Sequence, residues 1–410
     1  MSLLPRRTAI VVFLAFAFAY FFSALLRAIT ATLSPVLTLE FGLNARDLGL
    51  LAGGYFLGFS MTQLPMGAWL DRHGPRKVIL SLLSVAVLGC LAFSLAGGFA
   101  ALLGARVLIG AGVSACLMAP LTGNRRWLDA STQLRANSWM LMTGSLGMVA
   151  STLPVQWLMP LVGWRPLFWG LAAALVLAMV WIASVVPAWA IAPAGGAAPG
   201  AEASYAAVWR NPYFRRMTPI GFFSYGGLIA VQTLWAVPWM IKVAGYSSAQ
   251  AATGLFWINV CMLCTFWTWG LVNPSLVRRG FSAERLIAWG LPSSFILLAI
   301  IVIAGEDLST LATPAFALFC MSCSFVSLAQ PAVGMAFPQA LAGRALSAYN
   351  LVIFAGVFVV QWGIGLLIDA FKALGAAEPA AYQAAVSVFL ACCVTSYAYF
   401  LWAKPHNQGS

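Results

Sequence analysis

Twelve stretches of this chain carry no charged side chain, and each is long enough to cross a lipid bilayer: residues 8–26, 48–70, 78–105, 107–124, 136–164, 166–201, 217–241, 243–277, 286–305, 308–343, 345–368 and 379–403. About 20 mostly apolar residues span the hydrocarbon core as a helix. Lipid offers no partner to a free backbone group, so only helices and closed barrels cross it. The stretches are continuously apolar rather than alternating, which excludes a barrel. The expected fold is an all-α polytopic membrane protein of 12 transmembrane helices. Charged residues make up 8% of the chain, against about 25% in soluble domains. Little sequence remains for a separate soluble domain.

The net charge of +12 follows the membrane rather than a nucleic acid. With twelve passes, sixteen of the 22 basic residues fall on the side of the N-terminus and four on the other, with Arg27 and Arg106 inside spans. The positive-inside rule then puts both termini in the cytoplasm. Met1–Arg7 is basic, but the following apolar run has no small-residue cleavage site, so it is expected to stay as an anchor. The eight cysteines all lie in spans. Cys261/Cys264 and Cys320/Cys323 have C-x-x-C spacing, yet the only histidines are His73 and His406. Small packing residues describe these cysteines better than a metal site does. No metal, cofactor or nucleic acid is expected.

Residues 187–205 are rich in Ala, Pro and Gly and read as a linker; the basic, aromatic residues 205–216 suit a membrane face. The expected domains are 1–187, a first six-helix bundle; 188–216, the linker; and 217–410, a second bundle with a short tail. The halves echo each other: Arg135/Ser138 and Arg344/Ser347 open corresponding spans, Gln156-Trp157 recurs as Gln361-Trp362, and Gly67 as Gly270. A near-constant offset of half the chain fits parallel repeats around a central cavity.

After the second span comes Gly67-Ala-Trp-Leu-Asp71-Arg72-His73-Gly74-Pro75-Arg76-Lys77. This resembles the G-x-x-x-D-R-x-G-R-[RK] loop of the major facilitator superfamily, and the twelve spans and six-plus-six repeat agree with it. Arg106 to Gly112 resembles the fourth-helix R-x-x-x-G-x-G pattern, and residues 163–168 resemble the family's start of helix 6. The second copy of the loop, residues 270–280, lacks the aspartate, so a latch would be asymmetric. The resemblance implies a bacterial inner-membrane transporter working by alternating access. It implies that Gly67, Asp71, Arg72, Gly74 and Arg76 latch the halves on the cytoplasmic side, with Asp71 and Arg72 pairing near Arg344. Locally, Gly67 permits close helix approach and Gly74 a tight turn. A basic topogenic loop without gating is the competing account.

Charges within spans are costly and mark function. Arg27 lies about 28 Å from the cytoplasmic start of span 1 and Arg106 about 10 Å from the opposite end of span 4, so both reach similar depths. Two guanidiniums without a mid-membrane carboxylate make an anion site. The position of Arg27 ahead of Pro35 resembles the organophosphate and organic-anion branches of the superfamily, although span 7 lacks their second arginine. Two alternatives stand beside this: Arg106 bonded to backbone carbonyls as a structural residue, and Arg27 snorkelling to the far interface. Tyr20 belongs to the same candidate site. In span 7, Tyr225, Leu228, Gln232, Trp235 and Trp239 are spaced to share one helical face; Gln330 and Asn350 add polar groups from spans 10 and 11. These either orient a substrate or bond helix to helix.

The expected function is secondary transport of a small organic anion, by uniport, exchange or proton-linked symport. The alternative is movement of larger amphipathic or cationic compounds. No nucleophile–base pair falls at membrane depth, so an enzyme is not expected. The expected partners are an anionic small molecule and the lipid bilayer. One chain suffices for a pathway.

Overall fold

A computed structural model describes residues 4–189 and 205–403. Most of the expected linker, residues 190–204, therefore lies outside the described residues. The described chain is helical throughout. We number α1 Arg6–Phe41, α2 Ala45–Met61, α3 Gln63–Ser94, α4 Phe99–Trp127, α5 Ala130–Ala150 with its continuation Leu153–Val162, and α6 Trp164–Val185. The second half holds α7 Pro212–Lys242, α8 Ser248–Arg278, α9 Ala283–Ala304, α10 residues 312–335, α11 Gln339–Ala373 and α12 Glu378–Trp402.

Among the described residues, nine helices are long and apolar enough to cross a bilayer, or ten with the bent α5 taken as one. The difference from twelve lies in where helices join. Ala283–Met335 is one run of 53 residues, about 80 Å long at 1.5 Å per residue and far too long for one pass. It breaks at Gly305 (φ 49) and Ser309 (φ 38) into α9 and α10. α2 has 17 residues, but Thr62 stays near helical geometry (φ −89, ψ −10) and leads into α3. α3 in turn is interrupted at Gly74 (φ 77, ψ 162). One pass thus runs from Ala45 to the Gly74 turn, and the next from Pro75. α5 bends by 45°, just before Pro154, whose missing N–H weakens the ladder there.

Helix ends follow local chemistry. The Asn44 side chain accepts the Asp47 N–H at 2.8 Å, and Ser247 and Gln250 form a capping box on α8. Such caps satisfy amides that the helix leaves free. α1 ends on Gly42 at φ 62, a left-handed conformation that glycine adopts without a Cβ clash.

The halves meet along α2 and α11, which run antiparallel. A Cβ on Gly49 would stand 2.3 Å from the Gln361 carbonyl oxygen, one on Gly53 would stand 2.9 Å from the Phe358 ring, and one on Gly365 would stand 2.3 Å from the Ala45 carbonyl oxygen. Small residues at this spacing let two backbones touch. At the end of the seam, Asp369 of α11 accepts the Arg46 N–H at 2.8 Å and the Ala45 N–H at 3.3 Å. α1 packs on α7 and α5 on α8. This seam lies toward the side opposite the termini, hereafter the far side.

Candidate functional site

α1 has 36 residues, about 54 Å of helix, and Arg27 sits about 21 Å from its Phe41 end. The uncharged run of α1 continues past Arg27 to Leu39, so the arginine interrupts the apolar helix rather than ending it. Its guanidinium carbon lies 5.7 Å from the centre of the Phe59 ring on α2 and 5.8 Å from that of Phe354 on α11. The Tyr20 and Tyr55 side chains neighbour the same guanidinium. Arg27 is only half-buried, although these neighbours come from α1, α2 and α11. It therefore faces the junction of the two halves rather than lipid. Arg27 Nε has no hydrogen-bond partner, and among the described residues no carboxylate pairs with it.

The surrounding packing is specific. The Tyr55 hydroxyl donates to the Ser23 carbonyl at 3.3 Å, so its lone pairs stay turned toward the cation. Gly144 on α5 leaves room for Tyr20: a Cβ there would stand 2.5 Å from the Tyr20 ring. Tyr225 of α7 is half-buried and in electrostatic reach of both Tyr20 and Arg27. At the level of Arg27, Phe59 and Phe354 pack across the seam with ring centroids 4.5 Å apart, and Phe56 stacks on Phe354 at 6.2 Å.

Arg106 is not part of this site. It is fully buried, donates from Nη1 to the Leu26 carbonyl at 3.0 Å, and lies 5.2 Å from the centre of the Tyr55 ring. The expected depth match is real, because Leu26 adjoins Arg27. The expected pairing of two cations in one space is not: the Tyr55 ring and the α1 backbone separate them. The structural alternative for Arg106 is the one the fold realises.

The stripe on α7 divides as well. Gly221–Tyr225 and Val231–Trp235 are π-helical. Each wide turn adds a residue and shifts the register of the next turn, so a 3.6-residue face does not persist. Gln232 is buried and donates to Asn259 of α8 at 2.7 Å. Trp235 is buried and donates to the Gln361 carbonyl of α11 at 3.1 Å. Gln330 donates to Asn350, joining α10 to α11. These four side chains bond helix to helix in this conformation; only Tyr20 and Tyr225 join Arg27. Sequence reasoning missed Tyr55, Phe59, Phe354 and Asn259. The four-residue spacing of Tyr55 and Phe59 marked one face of α2, but nothing local signalled which helix would cover it.

On the termini side, Gly74 makes the expected turn and also a seat. A Cβ there would stand 2.2 Å from Trp189, whose indole N–H donates to the Asp71 carbonyl at 3.3 Å. Arg76 donates to the Ala183 carbonyl. The expected pairing of Asp71 and Arg72 near Arg344 is not formed: both are exposed, and none of the four ion pairs among the described residues includes them. Arg344 Nη1 is buried without a partner. Gly67 has nothing within 4 Å of a Cβ position, so the expected close helix approach is absent there. The helix Tyr205–Arg210 bridges this gap instead. Its Tyr205 hydroxyl donates to the Leu64 carbonyl at 2.9 Å; burial lifts the pKa of that hydroxyl above its usual value, and Arg344 draws it down.

A family model described as Major Facilitator Superfamily matches residues 16–361. The chain belongs to the Major Facilitator Superfamily. Solved structures agree in fold across nearly the whole chain. A bacterial homologue of the human lysosomal transporter Spinster, inward-facing and unoccupied, superposes with a TM-score of 0.77 at 16% identity, covering 97% of each chain. A D-xylose–proton symporter gives 0.75 at 14% identity, covering 98% of this chain and 99% of that one. The superfamily transporter FucP, in an outward conformation, gives 0.64 at 15% identity, with 97% and 100% covered. The chain is thus a multi-pass membrane transporter of this superfamily, and its substrate is a small molecule.

Proposed function

We propose that this superfamily member moves a small organic anion across the membrane by alternating access, holding it on Arg27 between two bundles, 1–187 and 217–410. The observation that carries the reading is a half-buried arginine inside the apolar run of α1, at the seam of the two halves, with no carboxylate partner among the described residues. An unpaired charge in such a run is costly unless a ligand completes it. Arginine presents a fork that matches a carboxylate or phosphate oxygen pair. With Arg106 sealed away, one cation faces the passage, which favours a singly charged group. The rings of Phe59, Phe354 and Tyr225 favour an apolar body attached to it. The positive-inside bias supports cytoplasmic termini in a bacterial inner membrane.

The aromatic lining also supports the second reading, transport of a larger amphipathic compound. A cation is disfavoured by Arg27 itself. The test is a thermal-shift screen of purified protein against mono-, di- and tricarboxylates, phosphorylated compounds and amphipathic cations, followed by uptake into proteoliposomes. An organic monoanion should raise the melting temperature, and Arg27→Ala should abolish that shift and the uptake. Stabilisation by cations alone, retained in Arg27→Ala, would overturn the reading.

A further inference from the structure

Two thiols are bonded to one turn of α7. Gly221–Tyr225 is π-helical, and the Gly226 N–H that closes it bonds both the Gly221 and the Phe223 carbonyls. Such turns are rare and frequently mark functional sites. The added residue rotates everything beyond it by about 100° about the helix axis. Tyr225 ends this turn, half-buried, in electrostatic reach of Arg27 and Tyr20. We infer, on the reading of Arg27 as the contact for the anion, that Cys323 of α10 and Cys393 of α12 are positioning residues: together they hold the π turn that aims Tyr225 across the seam at Arg27.

The bonds are direct. The Cys393 thiol donates to the Phe223 carbonyl at 3.6 Å, and the Cys323 thiol donates to the Ser224 carbonyl at 3.5 Å. A thiol is a weak donor, and a carbonyl has two lone pairs, so Phe223 accepts from both Cys393 and Gly226. Both thiols are buried, where no water competes for the carbonyls and each bond is stronger than in solvent. A sulfur also packs as a small apolar group, which suits a bundle core. Earlier on the same helix, the Tyr349 hydroxyl of α11 donates to the Met217 carbonyl at 3.1 Å. Three helices thus supply donors to this stretch of α7.

The fit around the turn is close on the same sides. A Cβ on Gly221 would stand 2.6 Å from the Tyr349 hydroxyl, and one on Gly227 would stand 2.3 Å from the Phe389 ring of α12. The other wide turn, Val231–Trp235, carries a donor of its own: the Thr233 hydroxyl donates to the Ile229 carbonyl at 2.6 Å. The first turn instead takes its side-chain donors from neighbouring helices. Because both thiols act on the α7 backbone, their effect on the anion runs through Tyr225.

The test compares wild type, Cys323→Ala/Cys393→Ala and Cys323→Ser/Cys393→Ser, each as the full chain in nanodiscs and in proteoliposomes. Alanine removes both donors; serine restores a donor at each place. Amide exchange across residues 221–230, read by mass spectrometry, should speed up about fivefold in the alanine pair, the scale of one neutral hydrogen bond. The serine pair should return toward wild type. In uptake of the stabilising anion, the alanine pair should raise KM by a similar factor with kcat unchanged, and the serine pair should restore it. In a Tyr225→Ala background the alanine pair should raise KM no further. Unchanged exchange across 221–230 would overturn the hold on the turn. An equal rise in KM without Tyr225, or a loss confined to kcat, would overturn the route through Tyr225. Exchange needs no substrate: a wild type that takes up no anion would defeat the anion reading, while exchange alone would still decide whether the thiols hold the turn.

Discussion

Exchanging the two span arginines for alanine should have opposite consequences. Arg106 bonds the Leu26 carbonyl at 3.0 Å and sits over Tyr55 at 5.2 Å, fully buried. A hydrogen bond from a charged group contributes about 1.5–3 kcal/mol, and a desolvated cation–π contact up to about 2. The desolvation of a buried cation, with Nε and Nη2 unpartnered, offsets part of that. Truncation also leaves a void among α1, α2 and α4. The net loss for Arg106→Ala is about 3 kcal/mol, roughly a hundredfold in the folded-to-unfolded ratio. Arg27 sits 5.7 Å and 5.8 Å from the Phe59 and Phe354 ring centres, and the desolvation of a cation without a carboxylate partner offsets those contacts, so its removal should cost less than that of Arg106. The assay is melting in detergent, with and without the stabilising anion. Arg106→Ala should melt several degrees lower yet keep its ligand shift; Arg27→Ala should melt near wild type and lose the shift. An Arg106→Ala protein of normal stability that no longer responds to the anion would refute this division of roles.

Three further outcomes rest on packing. Gly110→Ala should destabilise the first half by about 1–3 kcal/mol, because its Cβ would stand 1.8 Å from the Tyr55 carbonyl oxygen; the melting temperature in detergent reads this. Gly74→Ala should lower stability both by strain at φ 77 and ψ 162, about 1–3 kcal/mol, and by collision with Trp189; adding Trp189→Gly, which removes the clashing Cβ as well, should relieve only the collision, visible as a partial recovery in melting. Gln232→Leu should cost about 1–3 kcal/mol by stranding the Asn259 amide, and a double-mutant cycle with Asn259→Leu should show the two losses to be strongly non-additive.

Membership of the membrane class, the all-helical fold and the turn at Gly74 were legible because they depend on local composition. An apolar run of bilayer length has one low-energy conformation in lipid, and a glycine at φ > 0 is a local demand. Arg27 was also legible, since a charge in an apolar run is conspicuous whatever its neighbours. Its partner set was not. Arg106 looks identical to Arg27 in sequence, being one arginine in one apolar span. Only the crossing of α1, α2 and α4 decides that Tyr55 and the Leu26 carbonyl cover it while Arg27 is left to the seam. The α7 stripe failed for a similar reason: π turns are stabilised by tertiary packing, and each one rotates the residues beyond it. Asp369 shows the limit most clearly. In sequence it is one more acid at a span end. It becomes a cap on α2 only when two helices more than 300 residues apart lie antiparallel, and the glycine contacts that bring them together are properties of the assembled seam.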